Sequence, residues 1–135
     1  MIIELSNITG EPLQAQIAGQ IKALILKGVL KAGYCLPSIR ALAREQRVSV
    51  ITVQRAYETL EREDLLISQP AKGFFVTDLS EDKRQELAGK NFIEKFSLIA
   101  ATAFKEGLTD EDIIDLVKNI IDKQKNNNIL QDSNG

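Results

Sequence analysis

The fold is decided by the stretch LPSIRALAREQRVSVITVQRAYETLER, residues 36–62. Ser38 is placed to cap a helix over 38–46, and Ser49 is placed to cap a second helix that runs to about Arg62. The second helix has apolar residues at helical spacing, which predicts an inward face formed by Val53, Ala56, Tyr57 and Leu60. Two helices joined by a few residues are typical of a helix-turn-helix.

Patterns on both sides extend this motif into a small domain. Upstream, Pro12 opens a helix over 12–27, and Gly28 is suited to end it as a left-handed cap. Downstream, two short β-branched or aromatic runs, 65–69 and 73–77, flank a turn and predict a hairpin. Three helices followed by a hairpin make a winged helix-turn-helix, so residues 1–78 are predicted to form one domain. The fold class is mainly α with a small β-hairpin.

Residues 79–125 are predicted to form a two-helix region. Ser80 is placed to cap a long helix that Gly107 stops, and Thr109 with Asp112 resembles a capping box for a last helix ending near Lys125. The polar tail, residues 126–135, is expected to be flexible. Apolar residues recur at helical spacing along both helices: Leu87, Phe92, Phe96, Ile99, Ala103, Ile113, Val117, Ile120 and Ile121.

So small a helix pair cannot bury both of its apolar faces on itself. It must pack on the winged domain or on a second copy of the chain. A two-fold homodimer is favoured because most soluble oligomers are closed and symmetric, so the nine apolar residues are predicted to form a dimer interface. Two alternatives remain: the pair folds back on its own first domain, or Phe92, Phe96 and Ile99 contact an apolar ligand at the interface.

Composition excludes several kinds of chemistry. The chain has 135 residues, no histidine and one cysteine, which excludes His-based catalytic triads, His/Cys zinc sites and a disulfide within the chain. It has no glycine-rich phosphate loop and no converging set of titratable groups, so we expect no enzyme activity, metal or cofactor. Without a basic leader or a long apolar run, we expect a cytoplasmic protein in a reducing compartment, not a membrane protein.

Positive charge is concentrated around the predicted helix-turn-helix. Residues 31–56 have a net charge of +4 in a chain of net charge −2. The charged residues are Lys31, Arg40, Arg44, Arg47 and Arg55, against Glu45 alone. A basic island is typical of a polyanion-binding surface, although solvated helix faces carry similar runs. A third helix with an exposed N-terminus fits the major groove of duplex DNA, where it would present Ser49, Ile51, Thr52, Gln54 and Arg55.

Several motifs run together through residues 12–77. They are Pro12-Leu13 with Gln16-Ile17, Gly28 with Leu30 and Gly33, Leu36-Pro37-Ser38-Ile39-Arg40-Ala41-Leu42-Ala43, Val48-Ser49, Thr52-Val53, Ala56-Tyr57, Leu60-Glu61, Leu66-Ile67, and Gly73 with Phe75-Val76. This combination resembles the GntR family of bacterial transcription regulators, and the short two-helix region resembles its YtrA branch. The resemblance implies a dimeric DNA-binding regulator, usually a repressor, and dimer symmetry implies a palindromic operator. The alternative is a winged-helix protein-protein docking module without DNA binding.

The resemblance also implies DNA contacts at the positions matching Arg40, 49–52 and Gln54, with Gly73 approaching the minor groove. The predicted DNA-binding set joins these positions to neighbouring polar and basic residues: Ser38, Arg40, Arg47, Ser49, Val50, Ile51, Thr52, Gln54, Arg55, Lys72 and Gly73. Some have purely structural alternatives. The two serines cap helices, the glycine suits a turn, and Arg55 could pair with Glu58 or Glu61.

Three departures from the family pattern involve four residues. Val50-Ile51 stands where an Arg or Pro-Asn is usual, which removes a base-reading cation and predicts a different operator or weaker affinity. Asp64 replaces a usual Gly before the first wing strand, which predicts backbone strain at that corner. Phe74 replaces a usual Thr in the wing. Neither an effector nor a target gene is indicated by the sequence.

Overall fold

The computed structural model describes residues 1–134, with side chains described as far as Asn128. The elements in this part of the chain are α1 (Leu13–Leu26), α2 (Ile39–Gln46), α3 (Val50–Arg62), β1 (Leu66–Gln69), β2 (Gly73–Val76), α4 (Glu81–Lys105) and α5 (Asp110–Asn134). The two strands are antiparallel, with Leu66 opposite Val76. The predicted fold class, a winged helix-turn-helix followed by two helices, is confirmed.

The helix ends follow the local chemistry of the sequence. The side-chain oxygen of Ser38 accepts a hydrogen bond of 3.1 Å from the N–H of Ala41 and caps α2, as predicted. Gly28 adopts a left-handed φ of 83° after α1, and Arg47 adopts a φ of 57° in the turn between α2 and α3. One boundary shifts: Pro12 is the N-cap of α1 rather than its first helical residue, and its carbonyl accepts from the N–H of Gln16.

The core of the first unit is built around α3. This helix contacts α1, α2 and β1. Its buried face matches the predicted one, and it packs with the buried residues of its neighbours: Ile17, Ile21, Ile25, Leu42, Leu65 and Leu66. Each fully buried aliphatic side chain contributes about 1.5–3 kcal/mol to folding. This apolar contact holds α3 in place and directs its opposite face outward.

A short extended segment pairs with the outer edge of β2. The N–H of Gly33 donates to the carbonyl of Val76, the N–H of Val76 donates to Tyr34, and the N–H of Leu36 donates to Phe74, all at 2.8–2.9 Å. The sequence predicted only a loop here, because a glycine and a proline flank the segment. The pairing ties the start of the helix-turn-helix to the wing.

The corner before β1 carries the left-handed residue that the sequence indicated. Asp64 has a φ of 61°, a region that costs an ordinary L-residue about 1–2 kcal/mol and Asp somewhat less. The Thr77 hydroxyl donates to the carbonyl of Asp64 at 2.8 Å, which fixes the peptide in this conformation. The residue at which strain was expected, Asp64, is therefore held by a hydrogen bond from the Thr77 side chain.

The chain divides into two compact units, Met1–Ala88 and the residues from Gly89 onward. The sequence placed the boundary after residue 78. It lies within α4 because Leu79 and Leu87 pack against the core of the first unit. Leu87 was predicted to belong to the dimer interface, and this packing gives it a different partner.

In the second unit, Gly107 ends α4 with a φ of 93°. The predicted capping box opens α5: the N–H of Thr109 donates to Asp112, whose own N–H donates to the Thr109 hydroxyl. Hydrogen bonds to the Asp112 carboxyl from the backbone N–H of Thr109 and from its side chain hold the pKa of that carboxyl below its usual value. No described helix is both long and apolar enough to cross a membrane.

The predicted end of the last helix near Lys125 is wrong, because α5 continues to Asn134. The three asparagines at 126–128 suggested an end. Asparagine, however, disfavours a helix by only about 0.7 kcal/mol or less per residue, and residues 129–134 include no glycine or proline. The last residue of the predicted tail, Gly135, lies outside the described residues.

Candidate nucleic-acid interface

The N-terminal end of α3 projects from the domain. Val50 and Ile51 are 45% and 54% exposed. Gln54 and Arg55 are exposed one turn later, whereas Thr52 is half-buried. Since the opposite face of α3 is fully buried, these side chains form the outer surface of the helix. The orientation of α3 predicted from the apolar spacing is therefore the observed one.

Ser49 caps this end of the helix. Its side-chain oxygen accepts from the N–H of Thr52 at 3.1 Å, and the two hydroxyls lie 2.8 Å apart. The first N–H groups of a helix have no intrahelical acceptor, so the amides of Val50 and Ile51 are donors that this cap does not use. Backbone donors at a helix N-terminus suit a phosphate oxygen. Ser49 thus caps the helix and leaves the amides of Val50 and Ile51 as donors at an exposed helix end.

The cations of the helix-turn-helix and wing are exposed and make no internal ion pair within the described part of the chain. They are Arg40, Arg44, Arg47, Arg55, Arg62 and Lys72. The ion pairs found there join Lys22 to Glu63 and Lys83 to Glu86. A cation without an internal partner keeps its full charge available for a polyanion. The basic island predicted from composition is therefore an open surface.

The pairing considered for Arg55 does not occur, because both carboxylates have other partners. Glu58 accepts from the side-chain amide of Gln54 at 3.0 Å, and Glu61 accepts from the N–H of Ser68 at 3.2 Å. The first of these bonds also affects base recognition. A glutamine that reads an adenine edge uses both ends of its amide, and the NH2 end of Gln54 is already bonded to Glu58.

The wing tip is a tight turn between the two strands. The N–H of Lys72 donates to the carbonyl of Gln69 at 3.0 Å, and Ala71 has a left-handed φ of 63°. Gly73 has a φ of 115°, which favours glycine, although a Cβ there would meet only the Cys35 sulfur at 3.9 Å. Gly73 is therefore required by its backbone angle, and the turn presents Lys72 to solvent.

Phe74 belongs to the core side of the wing. Its ring packs edge-on against Tyr57, with the centroids 5.2 Å apart and an interplanar angle of 71°. Such pairs add about 0.5–1.5 kcal/mol beyond their burial. The phenylalanine that replaces the usual threonine thus fixes the wing against α3, the helix that carries the exposed end.

The second unit has an extensive apolar surface. Among the predicted interface residues, Phe96, Ala103, Ile113 and Val117 are half-buried, whereas Phe92, Ile99, Ile120 and Ile121 are exposed. Phe92 and Phe96 stack with centroids 5.4 Å apart. Further exposed apolar residues that the sequence prediction omitted are Ile93, Leu98, Phe104, Ile114 and Leu116. They lie beside the predicted stripe, so a wider apolar face at the same helical period would have included them.

The comparisons with known proteins agree with this geometry. Residues 13–76 match the model of the family described as bacterial regulatory proteins, gntR family. The HTH-type transcriptional repressor YtrA of Bacillus subtilis is 29% identical over 119 residues, which cover 88% of this chain and 92% of the relative. The similarity therefore extends past the winged domain into the two-helix region.

Solved structures match both parts of the chain. A GntR family transcriptional regulator from Listeria monocytogenes has a TM-score of 0.70 and 27% identity, covering 85% of this chain and 98% of that one. YtrA from Sulfolobus acidocaldarius, a GntR-family transcription factor, has a TM-score of 0.59 and 31% identity, covering 78% and 99%. With α1, α2, α3 and the wing matched and a relative covered along nearly its whole length, this chain belongs to the GntR family of bacterial regulatory proteins.

Proposed function

We propose that this protein is a homodimeric repressor that binds a palindromic operator through α2, α3 and the wing. As a GntR-family member it is a DNA-binding transcriptional regulator, and its relatives are regulators rather than enzymes. It therefore acts in the cytoplasm, where bacterial DNA lies. The observation that carries the proposal is the projecting end of α3, surrounded by exposed cations that make no ion pair within the described residues.

In this proposal the contacts divide into two classes. Phosphate contacts come from Arg40, Arg47 and Lys72, and from the helix ends capped by Ser38 and Ser49. Base contacts come from α3, since a single helix is narrow enough to enter the major groove. The residues on its outer face are Val50, Ile51, Thr52, Gln54 and Arg55. Gly73 lets the wing tip approach the minor groove. The apolar pair Val50-Ile51 favours contact with thymine methyl groups over guanine recognition by arginine.

The second unit supports the dimeric part of the proposal. Phe92 and Ile99 of α4 are 62% and 64% exposed, and Ile120 and Ile121 continue an apolar surface on α5. Soluble monomers rarely expose contiguous apolar surfaces of this kind. A second copy related by a two-fold axis would cover both stripes at once. The known repressor YtrA shares this two-helix region, since its similarity spans 119 residues.

The DNA-binding surface is tested by the salt dependence of binding to a duplex recovered from a random library. Arg40→Ala should weaken binding by about 1–3 kcal/mol, because one phosphate contact is lost. For the same reason, the negative slope of log affinity against log salt should become shallower by about 1. Lys118→Ala removes an exposed cation from α5 and should change neither quantity. If Arg40→Ala binds with the affinity and salt slope of the parent, Arg40 does not contact the DNA.

The docking-module alternative predicts a different outcome in the same experiment. A module without DNA binding would show no retention on any duplex at physiological salt, with or without Arg40. No relative named above supports that function, since they are transcriptional regulators.

A further inference from the structure

Arg84 of α4 lines a cleft in the first unit that the DNA contacts proposed above do not use. The cleft has a volume of about 180 Å³ and lies between the loop after α1, the end of β2 and the start of α4. Its polar lining comes from Lys31, Thr77 and Arg84, and none of its lining residues, all of which are described, carries a carboxylate. Two positive charges therefore border one small cavity with no compensating negative charge in its wall.

The guanidinium of Arg84 contains a buried donor that no described residue accepts. Within the described part of the chain, its Nε is buried and has no hydrogen-bond partner. Buried polar groups are almost always paired, and a charged group left without a partner costs more than a neutral one. An acceptor that belongs in the adjoining cleft would account for this donor.

Gly28 makes room for Arg84 in this position. A Cβ at residue 28 would collide with Nη1 of Arg84, and the φ of 83° also favours glycine. The end of α1 is therefore shaped to accept the guanidinium beside the cleft. A long cationic side chain with no role in the cleft would extend into water instead.

The donors and the size of the cleft define the class of ligand. The Thr77 hydroxyl already donates to the carbonyl of Asp64, so the available donors belong to Arg84 and Lys31. A guanidinium and an ammonium group suit the oxygens of a phosphate or a carboxylate. A volume of 180 Å³ exceeds the share of one water, about 30 Å³, several times over, so such a group fits with accompanying water.

We propose that this cleft binds a small oxyanion group, a phosphate or a carboxylate, held by Arg84 and Lys31. The bound group accepts the buried Nε–H of Arg84 and neutralises the two charges. It also joins the first turns of α4 to the loop that follows α1. This gives the regulator a ligand site within the winged unit, apart from the apolar surface of the two helices.

The test combines thermal unfolding of the full chain with a phosphorus NMR titration with inorganic phosphate. Both measurements are made at fixed pH and ionic strength, with chloride as the reference anion. Acetate forms a second arm that separates carboxylate from phosphate binding. The preferred oxyanion should raise the melting temperature, as any ligand of the folded state does. Arg84→Gln and Lys31→Gln should each raise its Kd roughly ten- to hundredfold, the value of a charge-assisted hydrogen bond.

Two controls locate the anion. Lys118→Gln removes a cation elsewhere, and Arg40→Gln removes one from the DNA-binding surface, so both should keep the parental Kd. Loss of the effect in Arg40→Gln would place the anion on the DNA-binding surface, and survival of the effect in Lys31→Gln would show that Lys31 does not hold the anion. Either result would overturn the proposal. So would the absence of a melting shift with both oxyanions. Because Lys31 is exposed, its variant decides the outcome if Arg84→Gln does not fold.

Discussion

The hydroxyl of Tyr57, in the middle of α3, donates a hydrogen bond of 2.8 Å to the carbonyl oxygen of Pro37, immediately before the cap of α2. Tyr57 is fully buried. Burial raises the pKa of its hydroxyl, with smaller contributions from Tyr34, Cys35 and Glu45. The hydroxyl therefore stays protonated and remains a donor. One side chain thus sets the position of α3 relative to the start of α2.

Tyr57→Phe should lower the free energy of unfolding by about 1–3 kcal/mol, because it leaves the partly buried carbonyl of Pro37 without this donor. Urea unfolding followed by circular dichroism measures this change. Tyr34→Phe is the matched control, since Tyr34 lies at the surface, and it should have almost no effect. Equal stability of the Tyr57 variant and the parent would show that the bond contributes nothing.

The same variant has a distinct pH dependence. The folded pKa of Tyr57 lies above the ordinary value of 10.0, so its contribution to stability is complete below pH 10. It declines as the pH rises above that value, because the unfolded chain then loses the proton and the folded chain does not. The stability gap between parent and Tyr57→Phe should therefore narrow above pH 10. A gap that stays constant would contradict the raised pKa.

Ala71→Gly should stabilise the protein by roughly 0.5–1 kcal/mol. Ala71 occupies a left-handed turn position with a φ of 63°, where the penalty for a Cβ exceeds the extra chain entropy of glycine. Ala23→Gly, in the exposed interior of α1, should instead destabilise by about 1 kcal/mol. The contrast between the two variants in urea unfolding is the measurement, and equal effects would show that the turn is unstrained.

Ile51→Ala should relax the base preference at one position of each half-site by roughly 1 kcal/mol, through loss of apolar contact with a thymine methyl. The salt slope should stay unchanged, because no charge is removed. Competition binding with single-base operator variants measures both. Val29→Ala, at an exposed residue outside the proposed interface, should leave the preference intact. Equal relaxation at every position would argue against direct contact by Ile51.

Ile99→Asp should convert the dimer to a monomer, because it places a charge in the apolar surface of α4. Sedimentation equilibrium measures the change, and operator affinity should fall by roughly 10²–10⁴ as the second half-site contact becomes independent. Ile2→Asp introduces the same charge at an exposed residue of the N-terminal segment and should remain dimeric. A parent that is monomeric at micromolar concentration would refute this assignment.

The helix-turn-helix was predictable because its information is local. Ser38 and Ser49 are caps and the apolar spacing of α3 fixes its buried face, so the exposed residues followed directly. The packing of Leu87 against the core of the first unit was not predictable, since helical spacing identifies an apolar surface but not the surface that it contacts. The pairing of 33–36 with β2 and the burial of Arg84 Nε also depend on tertiary contacts, which leave no periodic signal in the sequence.

Selection of bound sequences from random duplex DNA tests whether this chain is a dimeric regulator that reads its operator through α3. We expect enrichment of an inverted repeat whose half-sites are about one helical turn apart, centre to centre, or a multiple of that spacing. We also expect Ile51→Ala to change the recovered half-site, whereas Val29→Ala should not. Recovery of no common sequence, or of a single half-site without symmetry, would contradict dimeric operator binding by α3.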